Sequence, residues 1–512
     1  MKTDFRKELG WLITISLLVR TWLAWQLELG NDEVYYWTYA LYPDWSHYDH
    51  PPMLGWVMQL FSLNLLFDSE LALRLSSVLF FSLNTLLIFT AGKIIRDART
   101  GWYAALIYNA SVYASVITGV LILPDTPQNL FWMLSLVLLL KIFASEKADA
   151  RLMLLFGLLA GLGMISKYTS VFLWSGVVLY ILIYDRKWFT RPSLYGAMLI
   201  SALCGLPVLI WNLQNDFISF AYQGSRVNIF ESGLRPDLFF TELSGQVFYN
   251  NPVNWVLTIM ALIAFFRGKI LLTKAHSRLL LLVALPPILL FLLFSLFRPT
   301  LPHWTGPAYN SLLLLTAAYL AGRPQRAVLF PAVLKVSVGI VVAIMLLGNL
   351  QINFGIIPLP DKNPYHRLGR HDLTLDMYGW KKTAEAFGPV RERIISEGNM
   401  QQTDAMVAEN WFPLANLDYY VARPFGMKAL GLGRPDRLHK YIWINEERGG
   451  LHAGDDYWYL TDSRNYKHPE DVYSGLFREV VAADTLTIMR ASRPAKYVFV
   501  FLLKEYMPDQ AE

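Results

Sequence analysis

The sequence predicts a polytopic α-helical membrane protein with a C-terminal, water-exposed α/β domain, and three observations predict it. Only 17% of its 512 residues are charged, while 54% are hydrophobic and 14% aromatic; a soluble chain carries about 25% charged residues. Mostly apolar runs recur between residues 11 and 352, each of roughly the length that crosses a hydrocarbon core of about 30 Å. Beyond residue 353 these runs stop, and charge, Trp and Tyr take over. The net charge of +5 is small, and no basic stripe with interleaved aromatics occurs, which argues against nucleic acid as a partner. Cys204 is the single cysteine, so no disulfide forms within the chain.

Eleven spans are expected, near 11–27, 71–92, 102–122, 128–144, 152–165, 168–184, 194–212, 252–266, 279–297, 306–321 and 328–352. The first follows a charged N-terminus and lacks a small-residue cleavage site, so it reads as an uncleaved span. The pair 152–165 and 168–184 is short, which fits tilted or partly re-entrant helices. Segment 51–67 opens with Pro51-Pro52 and reads as interfacial; an extra pair of passes there would raise the count to thirteen.

Charge sets the orientation. One alternate set of loops holds Lys2, Arg6, Lys7, Lys93, Arg96, Arg99, Lys141, Lys147, Arg151, Arg186, Lys187, Arg191, Arg267, Lys269, Lys274, Arg278, Arg323 and Arg326. The other holds only Lys167, Arg226, Arg235 and Arg298. Basic residues concentrate in cytoplasmic loops, so the N-terminus is expected inside. An odd span count then puts 354–512 outside. The domains are thus 1–353, with a first outside loop at 28–70, and 354–512. In the tail, strands are expected at Ala405–Ala408, Tyr441–Ile444, Tyr457–Thr461 and Tyr497–Leu503, and a helix from Trp380 to about Ile395.

The outside loops collect the reactive residues. The first contains Glu28, Asp32, Glu33, Asp44, His47, Asp49 and His50 and, over 30–52, no Lys or Arg. A carboxylate at the membrane boundary gains basicity from the low dielectric, which suits Asp32 as a general base; Asp32 and Glu33 also suit a helix cap. Asp125-Thr126-Pro127 is a helix start and a second acidic candidate. Lys167 suits a phosphate headgroup or snorkels to lipid. Arg20, about 10 Å of helix rise inside the first span, marks a substrate phosphate or a structural acid. His47, Asp49 and His50 could form a metal cluster, but a hydrogen-bonded loop ending in diproline is favoured. His303 reads first as a headgroup or structural contact.

Together these blocks resemble a family. Asn31-Asp32-Glu33-Val34-Tyr35-Tyr36-Trp37 with Tyr48-Asp49-His50-Pro51-Pro52 is similar to the first outside loop of bacterial dolichyl-phosphate-mannose-protein mannosyltransferase-like proteins, a superfamily that includes the lipid A aminoarabinose transferase. Leu123–Pro127, Ser166–Thr169, Pro207–Asn212 and His303–Tyr309 follow in order, so the resemblance covers roughly 10–350. It implies a C-type glycosyltransferase fold, a polyprenyl (undecaprenyl) phosphate-linked sugar donor, inverting transfer and no bound cofactor. It implies Asp32 as catalytic aspartate with Glu33 beside it, Asp125 as the second acid and Lys167 on the donor phosphate. The aminoarabinose branch places a basic residue just after its aspartate, where this chain has Val34, Tyr35 and Tyr36; Arg20, Arg74 or Arg226 are then expected to help hold phosphate. Tyr35 and Tyr36, with Trp37 and Trp45, suit a sugar platform, and Asp49, His50 and His303 are further substrate contacts.

The expected partners are the lipid-phosphate sugar, membrane lipids, and an acceptor such as lipid A, lipopolysaccharide or another glycan. The alternatives are a protein O-glycosyltransferase, a lipid or sugar flippase, and a membrane-anchored binding protein. A flippase would carry polar groups near the bilayer midplane, whereas the acids here cluster at one face.

Overall fold

The computed structural model describes residues 4–145, 149–228, 233–270, 272–323, 329–359, 364–400 and 405–508. Lys2, Lys147 and Arg326, used above for orientation, lie outside them. The chain divides into two compact units: Met1–Trp25 with Pro43–Met345, and Gln26–Tyr42 with Leu346–Glu512. The loop expected at 28–70 is therefore shared, its Asp32-Glu33 end in the second unit and its His47–Pro52 end in the first.

Five helices among the described residues are long and apolar enough to cross a membrane: Glu70–Ile95, Asp125–Ala144, Pro192–Gln214, Lys274–Phe294 and Ala332–Phe354. Two broken candidates raise this to seven: Arg6–Gln26 with Asn31–Leu41, and Pro236–Tyr249 with Pro252–Phe266, the latter two meeting at 99°. Ala150–Met164 and Tyr168–Tyr184 are apolar but shorter. Several expected spans thus appear as shorter or interrupted helices. In the 102–122 run, helix Ala98–Asn109 stops and a wide turn follows at Tyr113–Ile117. The Asn109 carbonyl accepts from Ser115 Oγ at 2.6 Å, and the Ala110 carbonyl from Asn251 Nδ2 at 2.9 Å. Interrupted backbone is tolerated at membrane depth when such partners satisfy it. Segment 51–67 yields only the nine-residue helix Met53–Phe61, about 13 Å long, too short for a pair of passes.

Small residues set the helix spacing. A Cβ on Gly157 would lie 2.4 Å from the Ala197 carbonyl oxygen. Glycine there lets Ala150–Met164 and Pro192–Gln214 approach backbone to backbone.

The second unit contains a five-stranded mixed sheet: β1 (Ala405–Ala408), β2 (Lys428–Gly431), β3 (Tyr457–Asp462), β4 (Phe477–Arg490) and β5 (Arg493–Tyr506), in the order β2-β1-β3-β5-β4. β1 runs parallel to β2, with Val407 opposite Leu430, and to β3, with Met406 opposite Trp458. β5 is antiparallel to β3 and β4. Helix Trp380–Ser396 starts where expected, and its Phe387 ring packs edge-on to Trp458 at 5.1 Å. The strand expected at Tyr441–Ile444 is instead helix Tyr441–Glu447. Its buried residues Tyr441 and Ile444 are three apart, a helical and not an alternating spacing. Asn445 ties that helix to β2 by bonding both backbone groups of Gly431.

Candidate functional site

Asp125 opens helix Asp125–Ala144 directly after Pro124. Pro127 falls in the first turn, where a missing N–H leaves no intrahelical bond unmade. The carboxylate does more than start a helix: Oδ2 accepts from Lys167 Nζ at 2.7 Å, and Oδ1 from the Tyr113 hydroxyl at 3.2 Å. Lys167 sits at the break between the two short helices, its N–H bonded to the Gly163 carbonyl. Its side chain is 7% exposed, so the ammonium turns inward instead of snorkelling to headgroups. Burial pulls the Lys167 ammonium below its ordinary pKa, and Asp125 opposes that pull.

A cavity of about 330 Å³ adjoins Lys167. His50, Thr169, Gln223 and Arg226 add to its polar wall, and Phe172, Leu290, Phe291, Phe294 and Trp304 form its apolar wall. The Arg226 guanidinium lies over the Trp304 ring at 4.8 Å and the Tyr222 ring at 5.7 Å. Among the described residues no carboxylate is in ion-pair contact with Arg226. Desolvation lowers the His50 and His303 imidazoles to a pKa of about 4, so both are neutral near pH 7 and offer hydrogen bonds without charge. The His-Pro-Pro segment is seated on the Lys167 hairpin: Met53 N–H donates to the Ile165 carbonyl at 3.1 Å. Gln223 Nε2 donates to the Asp49 carbonyl, and the Tyr48 and Tyr222 rings meet at 4.9 Å. Five sequence blocks, around 50, 125, 167, 225 and 303, therefore converge.

The other expected residues stand elsewhere. Arg20 donates to the Ser16 backbone at 3.2 Å, to the Ser16 hydroxyl and to Ser115 Oγ at 2.8 Å, and stacks 3.6 Å above the Phe81 ring. Arg74 is fully buried and donates to the Ala24 carbonyl at 3.2 Å. Neither lines the cavity. His47 N–H closes a turn onto the His50 carbonyl at 3.1 Å. Among the described residues no group of three or more His, Cys, Asp and Glu is arranged to hold a metal ion.

In the second unit, Glu33 Oε2 accepts from Gly30 N–H at 2.8 Å and caps helix Asn31–Leu41. Asp32, beside it, is exposed. Tyr35 and Tyr36 are core residues and not an open platform: Tyr35 is 1% exposed and packs on Tyr36, Tyr39, Trp411 and His439. Glu28 caps a second helix, accepting from Trp380 N–H at 2.8 Å and Lys381 N–H at 3.2 Å. Sequence reasoning did not single out Tyr113, Gln223 or Trp304. Trp304 directly follows His303 in a quoted block, but Tyr113 lies in an apolar run that gives no polar signal.

Known proteins resemble this chain in sequence and in fold. Residues 49–211, which include His50, Asp125 and Lys167, match the model of the dolichyl-phosphate-mannose-protein mannosyltransferase family. The lipid A galacturonosyltransferase RgtD of Rhizobium johnstonii is 24% identical over 321 residues, covering 59% of this chain and 65% of that relative, just under two thirds of its length. ArnT from Cupriavidus metallidurans in the apo state aligns with a TM-score of 0.61 at 12% identity, over 97% of this chain and 98% of that one. The same protein bound to undecaprenyl phosphate gives 0.61 at 14% identity, over 96% and 98%. The mycobacterial arabinofuranosyltransferase AftD gives 0.53 at 14% identity, over 98% of this chain and 40% of that one. The fold is thus that of a C-type glycosyltransferase, a multi-pass membrane protein. Within that fold, residues 49–211 are similar in sequence to the mannosyltransferase family.

Proposed function

We propose that this chain transfers a hexose or pentose from a polyprenyl phosphate, undecaprenyl phosphate in a bacterium, to an extracytoplasmic acceptor. One observation carries the reading: the cavity joins a cationic wall, Lys167 and Arg226, to an apolar wall of Phe172, Leu290, Phe291 and Phe294. That is the amphipathic form of a lipid phosphate. As the anomeric carbon–oxygen bond to phosphate breaks, the departing phosphate gains charge, and a fixed guanidinium stabilises it. The acceptor oxygen bonds to the anomeric carbon from the opposite face, and its proton leaves to a general base. Asp125 holds Lys167 in register, while neutral His50 and His303 orient hydroxyls.

ArnT bound to undecaprenyl phosphate supports the donor class, and the RgtD relative makes lipid A the first acceptor to test. The charge asymmetry supports a cytoplasmic N-terminus, an inner-membrane location and a periplasmic 354–512 domain. The test is full-length protein in proteoliposomes with polyprenyl-phosphate hexose or pentose and lipid A, read by mass spectrometry. One sugar added per acceptor, with release of the polyprenyl phosphate, is expected. Donor crossing the bilayer unchanged, with no covalent product, would replace the transferase with a flippase.

A further inference from the structure

A second cavity, about 650 Å³, lies wholly in the second unit. The strand order places β1 between β2 and β3, all parallel. The chain leaves β1 toward β2 on one side and leaves β3 toward the β4–β5 hairpin on the other. In open α/β sheets ligands sit outside the carboxyl ends of the strands where such connections diverge. The cavity is at that place: Glu409 follows β1 directly, Gly433 and Arg434 follow β2, and Tyr466, Lys467 and His468 come from the segment after β3.

The lining has the chemistry of a built site. Lys467 is ion-paired with Glu409, which is 13% exposed, and Arg434 is held by both oxygens of Asp436 at 3.0 and 3.1 Å. Arg437 has no carboxylate partner among the described residues. Tyr473 lines the same cavity and is 3% exposed, yet its hydroxyl has no hydrogen-bond partner among the described residues. A buried hydroxyl without a partner is destabilising, and a bound polar group would remove that cost. A Cβ on Gly433 would lie 2.4 Å from the Glu409 carbonyl oxygen, so the exits of β1 and β2 are pressed together at the floor.

We infer that this cavity binds a phosphorylated saccharide headgroup. Arg437, supported by Arg434 and Lys467, meets the phosphate; Glu409 and Asp471 accept from sugar hydroxyls; the Tyr473 hydroxyl completes its hydrogen bond on the sugar. Arginine suits phosphate because its planar fork makes two parallel hydrogen bonds. Binding of such a headgroup stands by itself, but its assignment as the docking point of the sugar acceptor rests on the transferase reading.

The experiment is calorimetric titration of the full-length protein in nanodiscs with three soluble probes: a phosphorylated glucosamine disaccharide, its dephosphorylated form and inorganic phosphate. A fourth arm carries the phosphorylated disaccharide as a lipid in the nanodisc and separates lipid-borne from free ligand. Wild type should bind the phosphorylated disaccharide at least about tenfold more tightly than the other two soluble probes. Arg437→Ala should erase that preference, Arg437→Lys should restore part of it, and Tyr473→Phe should weaken both disaccharides. Equal affinity for the three soluble probes, or an Arg437→Ala protein with undiminished preference, overturns the site. In the transfer assay Arg437→Ala should raise the acceptor KM and leave kcat unchanged. Phosphate-dependent binding without transfer of any sugar would remove the transferase reading and leave this site in place.

Discussion

Lys167 Nζ lies 2.7 Å from Asp125 Oδ2, and the two side chains are 7% and 2% exposed. A buried pair is expensive to break from one side, because the survivor is left as an uncompensated charge at about 3–5 kcal/mol. Asp125→Leu and Lys167→Met should each lower stability by that order in unfolding assays in detergent. The double substitution should cost less than either single one, since it removes both charges together. Transfer activity should not return in the double variant. Restored activity there would make the pair a structural device with no part in catalysis.

His50 and His303 set an acid limit on the fold. Their folded pKa of about 4 lies below the ordinary value of about 6.5, so the unfolded chain binds more protons between the two. Their contribution is complete above pH 6.5 and is lost as pH falls toward 4. Allowing for partial exposure, each is worth on the order of 2 kcal/mol. Melting temperature measured from pH 7.5 to 4 should fall less steeply in His303→Gln than in wild type. Parallel curves would mean that His303 takes up its proton over the same pH range in the folded and the unfolded chain.

Arg226 is the cavity cation without a carboxylate partner among the described residues, and aromatic rings hold its plane. Losing a charge-assisted bond to phosphate costs about 1.5–3 kcal/mol. Arg226→Ala should therefore raise the donor KM roughly 10- to 100-fold. Arg226→Lys keeps the charge but loses the fork and the stacking, and should recover only part of this. A donor KM within twofold of wild type in Arg226→Ala would take Arg226 off the donor.

The sequence made the membrane class legible because bilayer thickness imposes one length on every span, whatever the family. It also exposed Asp125 and Lys167, since a charge among apolar residues stands out. It did not reveal that they pair, because 42 positions separate them and only the hairpin at 165–170 brings them together. Tyr35 and Tyr36 carry no sign of being core, as tyrosine is equally at home at an interface. β4 escaped for another reason. It is an edge strand with a mixed burial pattern, and its hairpin turns through Ala491 and Ser492 at φ 47° and 65°, without the Asn-Gly signal that marks such turns.

The two adjacent acids of helix Asn31–Leu41 should separate cleanly by substitution. Glu33 accepts from the Gly30 N–H, the N3 half of a capping box, where glutamine serves as well as glutamate. Glu33→Gln should keep the fold and most activity, and Glu33→Ala should cost about 1 kcal/mol with activity falling only as far as folded protein is lost. Asp32 is exposed, so Asp32→Asn should leave thermal unfolding unchanged. If it is the acceptor's base, that same substitution should lower kcat by about 10²–10⁴-fold with little change in donor KM. Equal turnover by Asp32→Asn and wild type would move the proton acceptor elsewhere, because an amide cannot take the acceptor's proton at neutral pH.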